Sequence, residues 1–318
     1  MQNEKIQRTG FGMLLSRGWR LYGKSLGTTF SISFLCNALP SLLLTVVVYY
    51  CVATMFRPVF QVAQTVLQSL LTYGFDEWAI GEAVERLLLS IEGYTLETML
   101  KQMLGSMGWL VVLLIVLAPV KLICQYVVAP VGAGAVAETQ SRTWHGVKVG
   151  ISAAFAAVKK RAGRLMVLYL VFLLGNAALG MVLSFASAVL SLIPVVGSVA
   201  GFCLAVGVAA LSMGLQELMV LVAINEDKWH FEALIQALKR YFTDYAYIAS
   251  GAIIWSGVLV ALLLVAVLDV FLMILAMFPP VLTVLLTAFA APLSAAITTV
   301  VYYDQRKREG YAPACAIE

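Results

Sequence analysis

The chain has 318 residues, 62% of them hydrophobic and 12% charged, with a formal net charge of +4 and a mean hydropathy of +0.93. Soluble domains carry about 25% charged residues, so ordinary soluble domains are excluded. The modest charge, with no basic tract interleaved with aromatics, excludes a nucleic-acid partner.

In chain order, a basic N-terminus precedes an uncharged run from Ser25 to Phe56. A signal-peptide core is only about 7–15 residues, so this run reads as a retained anchor. Residues 1–27 carry an amphipathic helix, Phe11 to Gly27, ahead of a first span at Thr28 to Val52 that contains Pro40. Residues 57–106 follow, with Val59, Val62, Val66 and Leu70, then Ile80, Val84, Leu87 and Ile91, at helical spacing. They predict two or three amphipathic helices capping the outer surface. A second span runs from Met107 to Val128, with Pro119 inside and Pro130 just beyond.

Between Arg164 and Glu217 lie 52 residues, Leu165 to Gln216, without a charged side chain. A helix of that length measures about 78 Å against about 30 Å of hydrocarbon, so the run holds two spans. They are Leu165 to Leu190 and Val199 to Val222, joined by a turn at Ser191 to Ser198. Small residues at four-residue spacing, Gly180, Ser184 and Ser187, then Gly201, Ala205 and Ala209, predict close packing between these two. A fifth span covers Tyr247 to Leu268, with its continuation to Ala276 ended by Pro279-Pro280. The sixth covers Val281 to Tyr303, and 304–318 form a tail. The expectation is an all-α, polytopic, six-span bundle forming a single membrane domain over 1–318.

Lys and Arg set orientation. Of 21, 17 lie before span one, between spans two and three, between four and five, or after six. Both termini are therefore expected in the cytoplasm of a plasma-membrane protein, with Arg57 to Ser106 outside. Short amphipathic segments precede spans one, three and five: Phe11 to Gly27, Val147 to Gly163 and Phe231 to Tyr241. Together they suggest a threefold parallel repeat.

Ionisable residues inside apolar runs need a partner or a cavity. Lys121 lies about 21 Å and Glu217 about 27 Å in from the outer ends of their spans, so an ion pair or coupling site between them is expected. Asp269 falls near the outer end of span five and reads as an interfacial cap. Trp144, Trp229, Tyr302 and Tyr303 read as interfacial anchors. His145 and His230, each following one of the tryptophans, lack acids or thiols at ligand spacing, and no metal or cofactor is expected. The five cysteines include no C-x-x-C pair and read as small buried hydrophobes. Gly18 to Ser25 spells a phosphate-loop pattern but precedes a span with no strand before it, so it reads as chance. Lys160 and Arg161, with Arg306 and Arg308, flank spans on the cytoplasmic side and read as contacts to lipid headgroups.

The most specific word is Tyr302-Tyr303-Asp304-Gln305-Arg306-Lys307-Arg308-Glu309-Gly310, preceded by Pro292. With Pro130 to Gly134 and the Ala-rich helix before span three, it resembles the membrane domain of bacterial glycerophosphoryl diester phosphodiesterases. That domain also occurs alone, without assigned role. The resemblance implies six spans and no catalysis, because the chemistry of those enzymes belongs to a separate barrel for which this chain has no room. Asp304 is expected to latch cytoplasmic helices by pairing with Arg306, Arg17 or Lys160.

Three functions follow as expectations. The first is a non-enzymatic scaffold or regulator that binds membrane lipids or another membrane protein. The second is a transporter or lipid translocator with a cavity near Lys121 and Glu217. The third is an intramembrane enzyme acting on a glycerophosphodiester-like lipid.

Overall fold

Prolines decide where the helices change geometry. The computed structural model describes residues 9–310 other than 56, 75, 91–95, 191–195, 227, 229 and 277, and every regular element among them is helical. Helix α1 (Phe11–Ser33) passes through a π-turn at Phe34–Ala38 into α2 (Leu39–Met55). Helix α5 (Leu96–Ile123) passes through a second π-turn at Cys124–Val128 into α6 (Ala129–Trp144). Each π-turn ends two residues before a proline, Pro40 or Pro130. Proline offers no N–H and its ring clashes with the carbonyl four residues back. Those carbonyls belong to Cys36 and Tyr126, inside the π-turns, where the wider winding accommodates them. Pro40 and Pro130 thus each follow a one-turn π insertion, whereas Pro119 and Pro292 sit within regular α-helix.

The remaining elements are α3 (Arg57–Tyr73), α4 (Glu77–Ser90), α7 (Ile151–Lys159), α8 (Ala162–Leu190), α9 (Val196–Asn225), α10 (His230–Thr243), α11 (Tyr245–Ala276) and α12 (Leu282–Arg308). Six helical stretches are long and apolar enough to cross a membrane: Phe11–Ala53, Met107–Trp144, Ala162–Val189, Val199–Asn225, Tyr245–Ile274 and Leu282–Arg308. The protein is an all-α, multi-pass membrane protein. Large apolar side chains such as Leu174, Phe185, Ile115 and Leu264 stay exposed on these helices, as lipid-facing positions require.

Two boundaries differ from expectation. The amphipathic segment before the first span is not a separate helix, because α1 runs unbroken from Phe11. Its buried positions Leu14, Gly18, Leu21, Ser25, Thr29 and Ile32 recur every three or four residues. Only α7 and α10 are separate short helices, so the first copy of the suggested repeat departs from the other two. The second span does not stop at Pro130 either, since proline is tolerated in the first turn of a helix and α6 continues to Trp144.

The chain divides into two compact units. The first comprises Met1–Ala38, Cys124–Ala261 and Leu286–Glu318. Its centre is α6, buried from Gly134 to Ser141, including the polar Thr139, Gln140 and Ser141. Helices α1, α7, α8 and α9 pack around it. Gly132 lets α6 approach the first π-turn, since a Cβ there would stand 2.5 Å from the Cys36 Cβ. Gln140 donates from Nε2 to the Pro292 carbonyl at 2.6 Å, tying α6 to α12. Between α8 and α9 the small-residue prediction is half right. A Cβ on Gly201 would touch Ser187 at 3.5 Å, whereas Gly180 has open space beside it and Ser184 is exposed. The turn at 191–195 lies outside the described residues.

The second unit comprises Leu39–Ile123 and Leu262–Leu285. Helix α2 pairs with α5, and α3 with α4. The third amphipathic piece of the expected cap is continuous with α5, while Ile91 and its neighbours to residue 95 lie outside the described residues. Asp269 does cap, but it caps a helix. Its carboxylate accepts from the backbone N–H of Leu282 at 3.1 Å and of Thr283 at 2.8 Å, and from the Thr283 hydroxyl at 2.7 Å. A helix N-terminus leaves its first N–H groups without partners and favours negative charge. Asp269→Ala is expected to lower stability by about 1–3 kcal/mol, because those buried donors lose their acceptor. Urea unfolding in detergent micelles measures this, and an unchanged midpoint would refute the capping role.

Candidate functional site

Helix α12 presents Ser294, Thr298, Tyr302 and Arg306 at four-residue spacing, which is one helical face. Opposite them, α9 and its end supply Glu217 and Glu226. Ser294 and Thr298 each donate a hydroxyl hydrogen bond to Glu217 Oε2 at 2.8 Å. Tyr302 donates to Glu226 Oε1 at 2.9 Å. The polar residues of α12 therefore serve two acids about two and a half turns apart on α9.

Glu217 borders a cavity of about 220 Å³ within the first unit. Its walls are largely apolar, supplied by Ala133, Val136, Met213, Val220, Leu221 and Ala295. One side carries polar groups: Glu217 and Gln216 from α9, Ser33 from α1, Asn37 from the first π-turn, Tyr169 from α8 and Trp255 from α11. Ser33 is buried and its Oγ has no hydrogen-bond partner. The Trp255 indole N–H, also buried, approaches the Glu217 carboxylate without reaching hydrogen-bond geometry. The Tyr169 phenol stands beside the Gln216 amide. The π-turn matters locally because it places Asn37, four residues after Ser33, on the cavity.

Beyond this cavity, the C-terminal motif is a clamp. Arg240 of α10 pairs with Glu226, and both side chains are more than nine-tenths buried. Arg240 also reaches Glu309 at 3.2 Å and lies 5.5 Å from the Tyr302 ring centroid. Burial works against the Arg240 charge, but the hydrogen bond and charge of Glu226, then Glu309, raise its pKa above the ordinary value. Arg306 stands 3.9 Å from Glu226 and 3.6 Å from Glu309. Arg308 pairs with Asp244 and, at 3.3 Å, with Asp304, which also accepts from Thr9. Tyr303 stacks on Trp144 with centroids 5.5 Å apart and donates to Asn225 at 3.4 Å.

Several expectations change accordingly. Asp304 joins the last helix to the N-terminal segment by accepting from Thr9 and pairs with Arg308 one turn on. Arg306 stands near Glu226 and Glu309, and Arg308 near Asp244 and Asp304. Arg161 lies 4.0 Å from Glu138, and Lys160 is exposed. Trp144, Tyr302 and Tyr303 are buried at 5%, 1% and 8% exposure. They anchor by packing inside the unit, where the motif's aromatic pair closes on α6 and α9. Trp229 lies outside the described residues. Lys121 is exposed and belongs to the second unit. Within the first unit, the described partners of Glu217 are the neutral hydroxyls of Ser294 and Thr298.

Ser294, Thr298, Ser33, Asn37, Tyr169 and Trp255 carried no expectation from the sequence. A signal was present in the two i, i+4 polar pairs, Ser33 with Asn37 and Ser294 with Thr298, inside otherwise apolar spans. Among the described residues, no group of three or more His, Cys, Asp or Glu side chains is placed to hold a metal ion. No protein-family model, curated protein or solved structure matches the chain.

Proposed function

We propose that this protein is a non-enzymatic membrane module that holds a lipid or similar amphiphile in the cavity of its first unit, as a scaffold or regulator. The observation that carries the reading is a cavity with apolar walls and one polar side inside a set of membrane-crossing helices. Such a lining suits a ligand with an apolar body and a polar end. Both termini are proposed to face the cytoplasm of a plasma membrane, on the excess of Lys and Arg in the segments on that side. The Tyr302 to Gly310 word supports a relationship to the membrane domain of glycerophosphoryl diester phosphodiesterases. In this reading its role is structural, because its side chains are spent on the clamp.

Native mass spectrometry of the protein released from nanodiscs tests the reading. The expected result is a retained lipid-sized molecule, lost in an Ala291→Phe variant whose new ring fills the cavity that residue 291 borders. A wild-type protein carrying no bound molecule, or a filled variant retaining it equally, would refute the reading.

A further inference from the structure

We propose that the cavity recognises an organic ammonium ion, an amine or quaternary ammonium carried on an apolar body, with Glu217 as its counter-ion. This rests on the binding reading above and names the ligand class.

Charge carries the argument first. Among the residues lining the cavity, Glu217 is the one acid, and no Lys, Arg or His stands with it. A phosphate, sulfate or carboxylate head inside would bring a negative charge beside an acid without a cation to offset it, at a large desolvation penalty. An ammonium head instead converts a lone intramembrane acid into a pair, which is how such residues are usually accommodated.

Hydrogen bonding agrees. Ser294 and Thr298 both bind Oε2 of Glu217, and Oε1 takes neither. The carboxylate is therefore held in place by one oxygen while the other keeps acceptor capacity. Ser33 Oγ, buried at 1% exposure and without a partner, is a second acceptor at the wall. The Asn37 and Gln216 amides border the same space, Gln216 beside the Tyr169 phenol. The Trp255 indole N–H, which approaches the same carboxylate, helps to fix its position on the cavity wall.

The aromatic residues complete the set. Trp255 and Tyr169 border the same space as Glu217, and cations bind over the faces of such rings, Trp best. At about 30 Å³ per water, the cavity has room for a head and a few carbons, with any longer chain extending past it.

The test uses the full-length protein in detergent and compares four soluble probes by microscale thermophoresis: dodecylamine, dodecanol, dodecyl phosphate and choline. The expected result is dodecylamine binding at least tenfold tighter than dodecanol and dodecyl phosphate. Glu217→Gln, which keeps an acceptor for Ser294 and Thr298, should reduce dodecylamine to the affinity of dodecanol. Binding of choline as well would identify a small soluble ammonium ion as sufficient, and binding of dodecylamine alone would point to a lipid source. Either supports the proposal. Equal binding of amine and alcohol, or tighter binding of the phosphate, overturns the ammonium assignment and leaves the binding reading standing. Failure of every probe, with no lipid retained in native mass spectrometry, overturns both. The wild-type comparison decides the matter even if Glu217→Gln fails to fold.

Discussion

Arg240→Ala is expected to destabilise the protein by about 3 kcal/mol, the low end of the roughly 3–5 kcal/mol seen when one partner of a buried ion pair is removed. Arg240 and Glu226 keep side-chain exposures of 7% and 6%, so alanine would leave the Glu226 carboxylate without its nearest cation. Arg306 remains 3.9 Å away and Tyr302 still donates, which limits the loss. Arg240→Met combined with Glu226→Leu should recover most of the stability, because apolar replacement of both partners removes the stranded charge. Asp304→Ala should lose less, about 1–2 kcal/mol, since Arg308 keeps Asp244 as a partner. Urea unfolding of the three variants in micelles ranks them. A single Arg240 variant as stable as wild type would show that the clamp holds nothing together.

Gly251→Ala is expected to cost about 1–3 kcal/mol by overpacking. A Cβ at 251 would stand 2.5 Å from the Tyr241 hydroxyl oxygen, and the Gly214 Cα lies 3.6 Å away on another side. From Gly214 a Cβ would meet the same hydroxyl at 2.9 Å and the Gly251 Cα at 3.1 Å. Helices α9 and α11 thus cross at two glycines with the tip of Tyr241, from α10, wedged between them. Burial, then the charge of Glu217, pushes the Tyr241 phenol up, so it stays neutral. Its hydroxyl has no hydrogen-bond partner. Tyr241→Phe should therefore be nearly neutral alone and should relieve Gly251→Ala by vacating the clashing position. Equal damage from Gly251→Ala in the Tyr and Phe backgrounds would refute the wedge. Gly214 does follow Ala210 at four-residue spacing in α9, but Gly251 stands between Tyr247 and Trp255 at that spacing, so the pairing of the two glycines was not legible in the sequence.

The clamp and the cavity were legible to different degrees. Tyr302 to Glu309 stood out as a word, and Asp304 as a latch, because charged and aromatic residues crowd the end of an apolar span. Their partners were not readable. Glu226 follows α9, Arg240 lies on α10 and Asp244 follows it, and nothing in local spacing says that these segments meet α12. Glu217 was legible because a carboxylate in an apolar run is rare. Its placement against Ser294 and Thr298, 77 and 81 residues later, was not.

By itself, the sequence determined the six membrane-crossing helices and their approximate limits. Those follow from apolar run length against bilayer thickness, which needs no knowledge of neighbours. Only the tertiary structure decided that the stretch after Pro130 is the buried centre of a unit, that the motif's aromatics face inward, and that Glu217 borders a cavity with Trp255, Tyr169 and Ser33. In a chain this apolar, hydrophobicity no longer separates inside from outside. Which face is buried is set by close approach at glycines and by pairing of scarce polar groups, and both depend on residues far apart in the chain.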